Sequence, residues 1–199
     1  MRDSVTIRVP ATTANLGPGY DVFGMALSLW MEVTISKAET FSMEISGEGA
    51  SEVKADDSNV IVQSCKLGFE MSKVEMPPLR FTVKSGIPFG CGCGSSSAAA
   101  VAGFLSAVVM TGHKLPTKND EAMLQVISEL EGHPDNAAPA IYGGIQLGIK
   151  GEKVTTHRIP TPPSLICVIL SPLKKMKQDT HATRKLIPTE ISTTWRARR

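Results

Sequence analysis

The sequence predicts an α+β fold, and three observations carry the prediction. Apolar and polar residues alternate with period two at four places, stretches with helical spacing fall between and after them, and a closing hairpin precedes a proline-rich link. In order, Val5, Ile7 and Val9 place a strand at 4–9. Pro10 opens the loop ATTANLGPGYD, whose Gly and Pro content speaks against regular structure. Alternation returns at Met31, Val33, Ile35 and at Phe41, Met43, Ile45. A helix is expected over 58–72 with Ser58 as N-cap, then a strand through Leu79, Phe81 and Val83. A Gly/Ser loop (85–96) leads into a small-residue helix ending near Thr111. Thr117 with Asp120 reads as a capping box for an amphipathic helix over 117–131. A short helix after EGHPDN, and a hairpin pairing 145–149 with 153–159, complete the first domain. IPTPPS (159–164) is a stiff linker; LICVILS beyond it reads as a buried strand and 179–187 as one helix. One strand and one helix cannot bury their own apolar faces, so a domain complete near residue 163 is followed by one barely begun.

Composition narrows the class. With 199 residues and 42% apolar content the chain supports one core, or one core and a fragment of a second. Aromatics supply only 5%, so that core is aliphatic, with Ala and Met. A charged fraction of 20% and a net charge of +2 argue against disorder and give no reason to expect nucleic acid or an anionic membrane as partner. The longest apolar stretch, Ala98 to Met110, is interrupted by Gly103 and Ser106 and falls short of the ~20 residues of a membrane span. MRDSVTIRVP has no apolar signal region, so a soluble, cytoplasmic protein is expected. Cys65, Cys91, Cys93 and Cys167 form no zinc-type spacing and are expected as free thiols.

Three segments bear chemistry. In PFGCGCGSSSAAAVAG (88–103), glycines 90, 92 and 94 permit positive φ and close approach of backbone to a ligand. Serines follow and a helix opens, which gathers unpaired N–H groups and the positive helix end where a phosphate can bind. No Lys follows the last glycine, so this is not a Walker A loop, and no acidic residue closes a Rossmann unit. The plain structural alternative is a flexible loop with Ser95 or Ser96 capping a helix. EGHPDNAAP (131–139) sets Glu131, His133, Asp135 and Asn136 within six residues; its alternative is a turn at Pro134 with Asp135 or Asn136 as cap. PATTANLGPGYD (10–21), taken alone, is a long loop between strands.

Together, in this order and spacing, PATTANLGPGYDVFG, PFGCGCGSSSAAA and EGHPDNAAP resemble the homoserine kinases of the GHMP superfamily, with the likeness running over about 5–190. The resemblance implies a ribosomal-protein-like two-layer α/β sandwich at 1–163, which binds ATP, and the start of a ferredoxin-like C-terminal domain at 164–199. It implies ATP on Asn59 and on the loop Pro88, Phe89, Gly90, Cys91, Gly92, Cys93, Gly94, Ser95, Ser96, Ser97 and Ala98. Mg²⁺ would be held by Ser96 and Glu131, with Glu129 in reserve. Homoserine would lie among Asn15, Asp21, His133, Asn136 and Arg184, with Asp21 meeting its ammonium and Arg184 its carboxylate. Asn136 would orient the attacking hydroxyl, Thr180 would lie near the transferred phosphoryl group, and Asp21 is the alternative base. A homodimer is left open.

Some features depart from the family pattern. Cys91 and Cys93 stand where Ser and Leu are common, beside an anion site that can depress a thiol pKa. Ser97 replaces a usual Ala, an exchange expected to be neutral. The chain ends well before the family's C-terminal half, and TTWRARR does not match it. Two alternatives therefore stay open: a non-catalytic nucleotide-binding remnant, and a GHMP kinase for another small alcohol such as mevalonate or shikimate.

Overall fold

The computed structural model describes residues 1–17, 19–113 and 121–169. Its elements are β1 (Ser4–Ala14), β2 (Phe23–Lys37), β3 (Ser42–Gly47), α1 (Val60–Met71), β4 (Leu79–Ser85), α2 (Ser95–Thr111), α3 (Glu121–Glu131), α4 (Pro134–Tyr142), β5 (Ile145–Lys150) and β6 (Val154–Ile159). They lie in one unit, Met1–Val168; a second unit runs over Ile169–Arg199, of which only Ile169 is described.

The sheet is organised around β2, the longest strand. Its order is β3-β4-β2-β5-β6, with β1 paired to β2. Because β1 follows β2 from Gly24 to Ser36, β4 and β5 share the opposite edge, β4 along Met31–Lys37 and β5 along Phe23–Met25. The pairings are antiparallel except β3 with β4, which run parallel on either side of the α1 crossover. Alternation decides the faces: Leu79, Phe81 and Val83 of β4 and Met31, Val33 and Ile35 of β2 are buried, while Arg80 and Lys84 face outward. The core is aliphatic and alanine-rich, and among the described residues Phe69 and Phe81 are the only aromatics in the set of largest fully buried side chains.

The two central helices approach closely. A Cβ at Gly103 of α2 would fall 2.1 Å from the Ile61 carbonyl oxygen, and one at Gly68 of α1 would fall 2.7 Å from Ala107 Cβ. Glycine at both positions lets α1 and α2 pack nearly backbone to backbone. This explains a glycine in the middle of each helix despite its propensity cost.

Several expectations need correction. The first strand does not stop at Pro10. It continues to Ala14, with a register shift between Pro10 and Thr12, because Thr12–Ala14 pair with Gly24–Ala26; a bulge accommodates the missing proline N–H. The helix expected from Ser58 begins one residue later, with Asn59 as N-cap, and Ser58 instead bonds Asp56. The EGHPDN segment is not wholly a turn, since Pro134, Asp135 and Asn136 form the first turn of α4. Over 165–169 no strand forms, and Ile166 and Val168 are about four-fifths exposed; a strand needs an adjacent edge, and no described strand pairs with this segment. The hairpin expected at 145–159 forms, with Ile145 opposite Ile159 and Lys150 already paired with Val154, so the turn is shorter than KGEK. The capping box at Thr117 and Asp120, and the helix at 179–187, lie outside the described residues.

Candidate active site

The glycine-serine loop is a sequence of left-handed turns. Gly90, Gly92 and Gly94 have φ of +70°, +70° and +64°. Gly94 is the N-cap of α2 and supplies no side-chain cap, so the first N–H groups of the helix remain open to an outside acceptor. A Cβ there would also lie 1.9 Å from Thr12 Oγ1, so both backbone conformation and space require glycine. No acidic residue occupies the first turn of α2.

An acid is nonetheless brought to that turn from elsewhere. Glu131, the last residue of α3, accepts the Ser96 hydroxyl at 2.8 Å on Oε1 and the Ser97 hydroxyl at 2.6 Å on Oε2. The two residues expected to hold a metal are thus in direct contact, and Ser97, taken as neutral in the sequence, is the second donor. A hydroxyl and one carboxylate are hard oxygen donors of the kind Mg²⁺ takes when most of its shell comes from phosphates and water. Among the described residues no group of three or more His, Cys, Asp or Glu forms a cage of its own.

Beside the loop lies a cavity of about 390 Å³, lined among others by Met31, Ile45, Val60, Val83, Phe89, Ser96 and Asn59. Its walls are mostly apolar and include Ser95 and Ser96 of the first turn of α2. Asn59 is engaged at both ends of its amide, Oδ1 accepting from Ile61 N–H at 3.0 Å and Nδ2 donating to the Lys54 carbonyl at 2.7 Å.

The other candidates gather around the HPDN turn and the loop after β1. Thr12, fully buried, donates its hydroxyl to Asn136 Oδ1 at 2.8 Å and its N–H to the Cys93 carbonyl at 3.1 Å, joining α4 to the glycine-serine loop. His133 Nδ1 lies 2.6 Å from the Asp135 carboxylate. Gly24 of β2 passes so close to α4 that a Cβ would meet the Asp135 carbonyl at 1.6 Å. Pro139, four residues on, has no N–H to claim that carbonyl. Asn15 and Asp21, both with positive φ, are tied by the Asp21 N–H donating to Asn15 Oδ1 at 2.9 Å.

A family model, the GHMP kinases N terminal domain, matches residues 59–144, which include the loop, α2 and the HPDN turn. The homoserine kinase of Desulfitobacterium hafniense is 36% identical over 190 residues, covering 94% of this chain and 62% of the relative. The chain belongs to the GHMP kinase family. Its fold agrees with that of the family. The crystal structure of homoserine kinase from Cytophaga hutchinsonii superposes with a TM-score of 0.67 at 27% identity, covering 81% of this chain and 53% of the other. Methanococcus jannaschii mevalonate kinase gives 0.59 at 18% identity, covering 79% and 56%, a likeness of fold alone. This GHMP chain spans about three-fifths of the length of the curated homoserine kinases it matches.

Within this family frame, Thr180 and Arg184 lie outside the described residues. The thiol expectation is corrected for Cys93: burial, with a smaller contribution from neighbouring Cys91, raises its pKa rather than lowering it. Each of the four cysteines is a thiol outside any disulfide. Sequence reasoning missed Thr12 and the part played by Ser97. Thr12 sits two residues beyond a proline in a segment taken as loop, so only the paired strand reveals its inward direction.

Proposed function

We propose that this chain carries the ATP-binding part of a kinase that phosphorylates L-homoserine to O-phospho-L-homoserine, a cytoplasmic step of threonine biosynthesis. The supporting observation is the contact of Ser96 and Ser97 with Glu131 at the open N-terminus of α2. A carboxylate beside an anion-binding helix end repels a triphosphate unless a cation stands between them. In this reading residues 1–163 are the N-terminal domain and 164–199 begin the second. The triphosphate lies on Pro88–Ala98 and the base enters the apolar cavity beside Asn59.

Ser96 and Glu131 hold Mg²⁺, which when bound neutralises charge on the transferring phosphoryl group. The open N–H groups of α2 stabilise the same charge without reorganisation. Asn136 and His133 orient the acceptor, Asn15 holds the loop that carries Asp21 to the substrate ammonium, and Arg184 meets the carboxylate. Phosphoryl transfer needs positioning and charge neutralisation more than a strong base. The hydroxyl proton passes to the phosphate, with Asp21 the alternative base; Thr180 stands near the transferred group. A second reading is nucleotide binding without transfer, because the loop, the cavity and the contact of Ser96 with Glu131 would serve a nucleotide alone.

A coupled assay with homoserine, mevalonate and shikimate separates the readings. Turnover of homoserine alone is expected. Binding of ATP with no product from any alcohol would support the second reading, and turnover of another alcohol would replace the substrate. Arg184→Met is expected to raise KM for homoserine chiefly; an unchanged KM shows that Arg184 does not bind it.

A further inference from the structure

The Asp135 carboxylate is 1% exposed and lies between two side chains of the candidate substrate site. Its Oδ1 stands 2.6 Å from His133 Nδ1, accepts the Asn136 N–H at 2.8 Å and faces Asn136 Nδ2 at 3.5 Å. Its Oδ2 is buried without a hydrogen-bond partner among the described residues. Native structures keep such an orphan rarely.

A carboxylate can only accept, and that fixes the polarity of both neighbours. A neutral imidazole has one N–H; with Oδ1 at 2.6 Å it must sit on Nδ1, which makes Nε2 the unprotonated, accepting nitrogen. The Asn136 amide is held from both sides. Its Nδ2 must face Asp135, because a carbonyl oxygen there would oppose a carboxylate oxygen. Its Oδ1 then accepts the Thr12 hydroxyl at 2.8 Å. The remaining Nδ2 hydrogen makes Asn136 a donor toward any ligand.

We infer that Asp135 and Thr12 are positioning residues that make His133 an acceptor and Asn136 a donor, so that this turn recognises an alcohol hydroxyl. A hydroxyl both gives and takes a hydrogen bond and satisfies the two together; a carboxylate suits only Asn136 and an ammonium only His133. The inference rests on the proposal that His133 and Asn136 face the phosphoryl acceptor. It adds the reason that the acceptor is an alcohol.

The test reads the His133 ring directly. In the 15N-labelled full chain, at a pH well above the usual imidazole range, long-range proton–nitrogen correlations report which nitrogen carries the proton. The His133→Gln variant identifies the His133 signals among the four histidines. A protonated Nδ1 and bare Nε2 are expected, with Nε2 shifting when homoserine is added. Asp135→Ala should release the tautomer and weaken homoserine binding about 10-fold, while ATP affinity stays within about twofold. Thr12→Val should weaken homoserine several-fold and Thr12→Ser should restore it. A wild-type ring protonated on Nε2, or a Thr12→Val chain that binds homoserine as wild type does, overturns the inference. An Nδ1–H ring that responds to mevalonate or shikimate and ignores homoserine supports the inference and removes the homoserine reading. A ring that responds to no alcohol overturns the alcohol assignment.

Discussion

Glu131 is the residue on which the local electrostatics turn. Its carboxylate is held by two serine hydroxyls where α2 presents its positive end. Glu131→Gln is expected to abolish most of the gain in ATP affinity that Mg²⁺ confers, about 10-fold, in calorimetry with magnesium against chelator. An unchanged gain would falsify its part in metal binding. The cysteines divide by burial. Cys91 is partly exposed on the loop and Cys93 buried behind it, so ATP should slow alkylation at Cys91 while Cys93 stays unlabelled throughout; equal Cys91 rates with and without nucleotide would sink this. Cys65 is different again: burial raises its thiol pKa from 9.0 to about 12. The folded state therefore holds that proton more tightly than the unfolded chain. The stabilisation is full below pH 9.0 and is lost as pH rises toward 12. Denaturation midpoints should fall across that window, and less steeply in Cys65→Ala. At this scale the sequence displayed the serines and Glu131 as chemistry-bearing types. It did not display that Ser97 shares Glu131, because a pair 34 residues apart meets only when α3 docks on α2.

Among the elements, α1 and α2 are the pair most sensitive to volume. Gly103→Ala forces a methyl against the Ile61 carbonyl and Ser64 Oγ, and should cost about 2–3 kcal/mol in urea titration. A loss below about 0.5 kcal/mol would mean that the helices separate freely. Asn59→Ala should cost about 1 kcal/mol through the lost N-cap, and it should disturb the cavity that this residue lines. Periodicity made most elements legible, because burying one face of a strand or helix dictates its spacing. Boundaries were less legible. The helix α4 opens at Pro134, a first-turn proline, where the sequence was read as a turn ahead of the helix. The extension of β1 past Pro10 came from pairing with β2, a non-local cause that no window of sequence contains.

For the molecule as a whole, the apolar segment after the linker stands out. Leu165, Ile166 and Val168 are exposed in the unit that ends at Val168. A run with high β-propensity and no paired edge favours association between copies. Ile166→Lys with Val168→Lys should lower concentration-dependent scattering without changing the thermal midpoint of the core; undiminished scattering would place the sticky surface elsewhere.

The order of glycines, serines and acids along the chain, with its alternating periods, was enough to determine the α+β class, the glycine-serine loop before a helix and the family. These depend on local spacing and backbone conformation, which are written residue by residue. Only the tertiary structure decided that Thr12 ties the loop to Asn136, that Asp135 faces His133 and Asn136 from a buried position, and that Glu131 reaches two serines. Contacts between distant positions depend on how the layers pack, and packing is a property of all the elements at once.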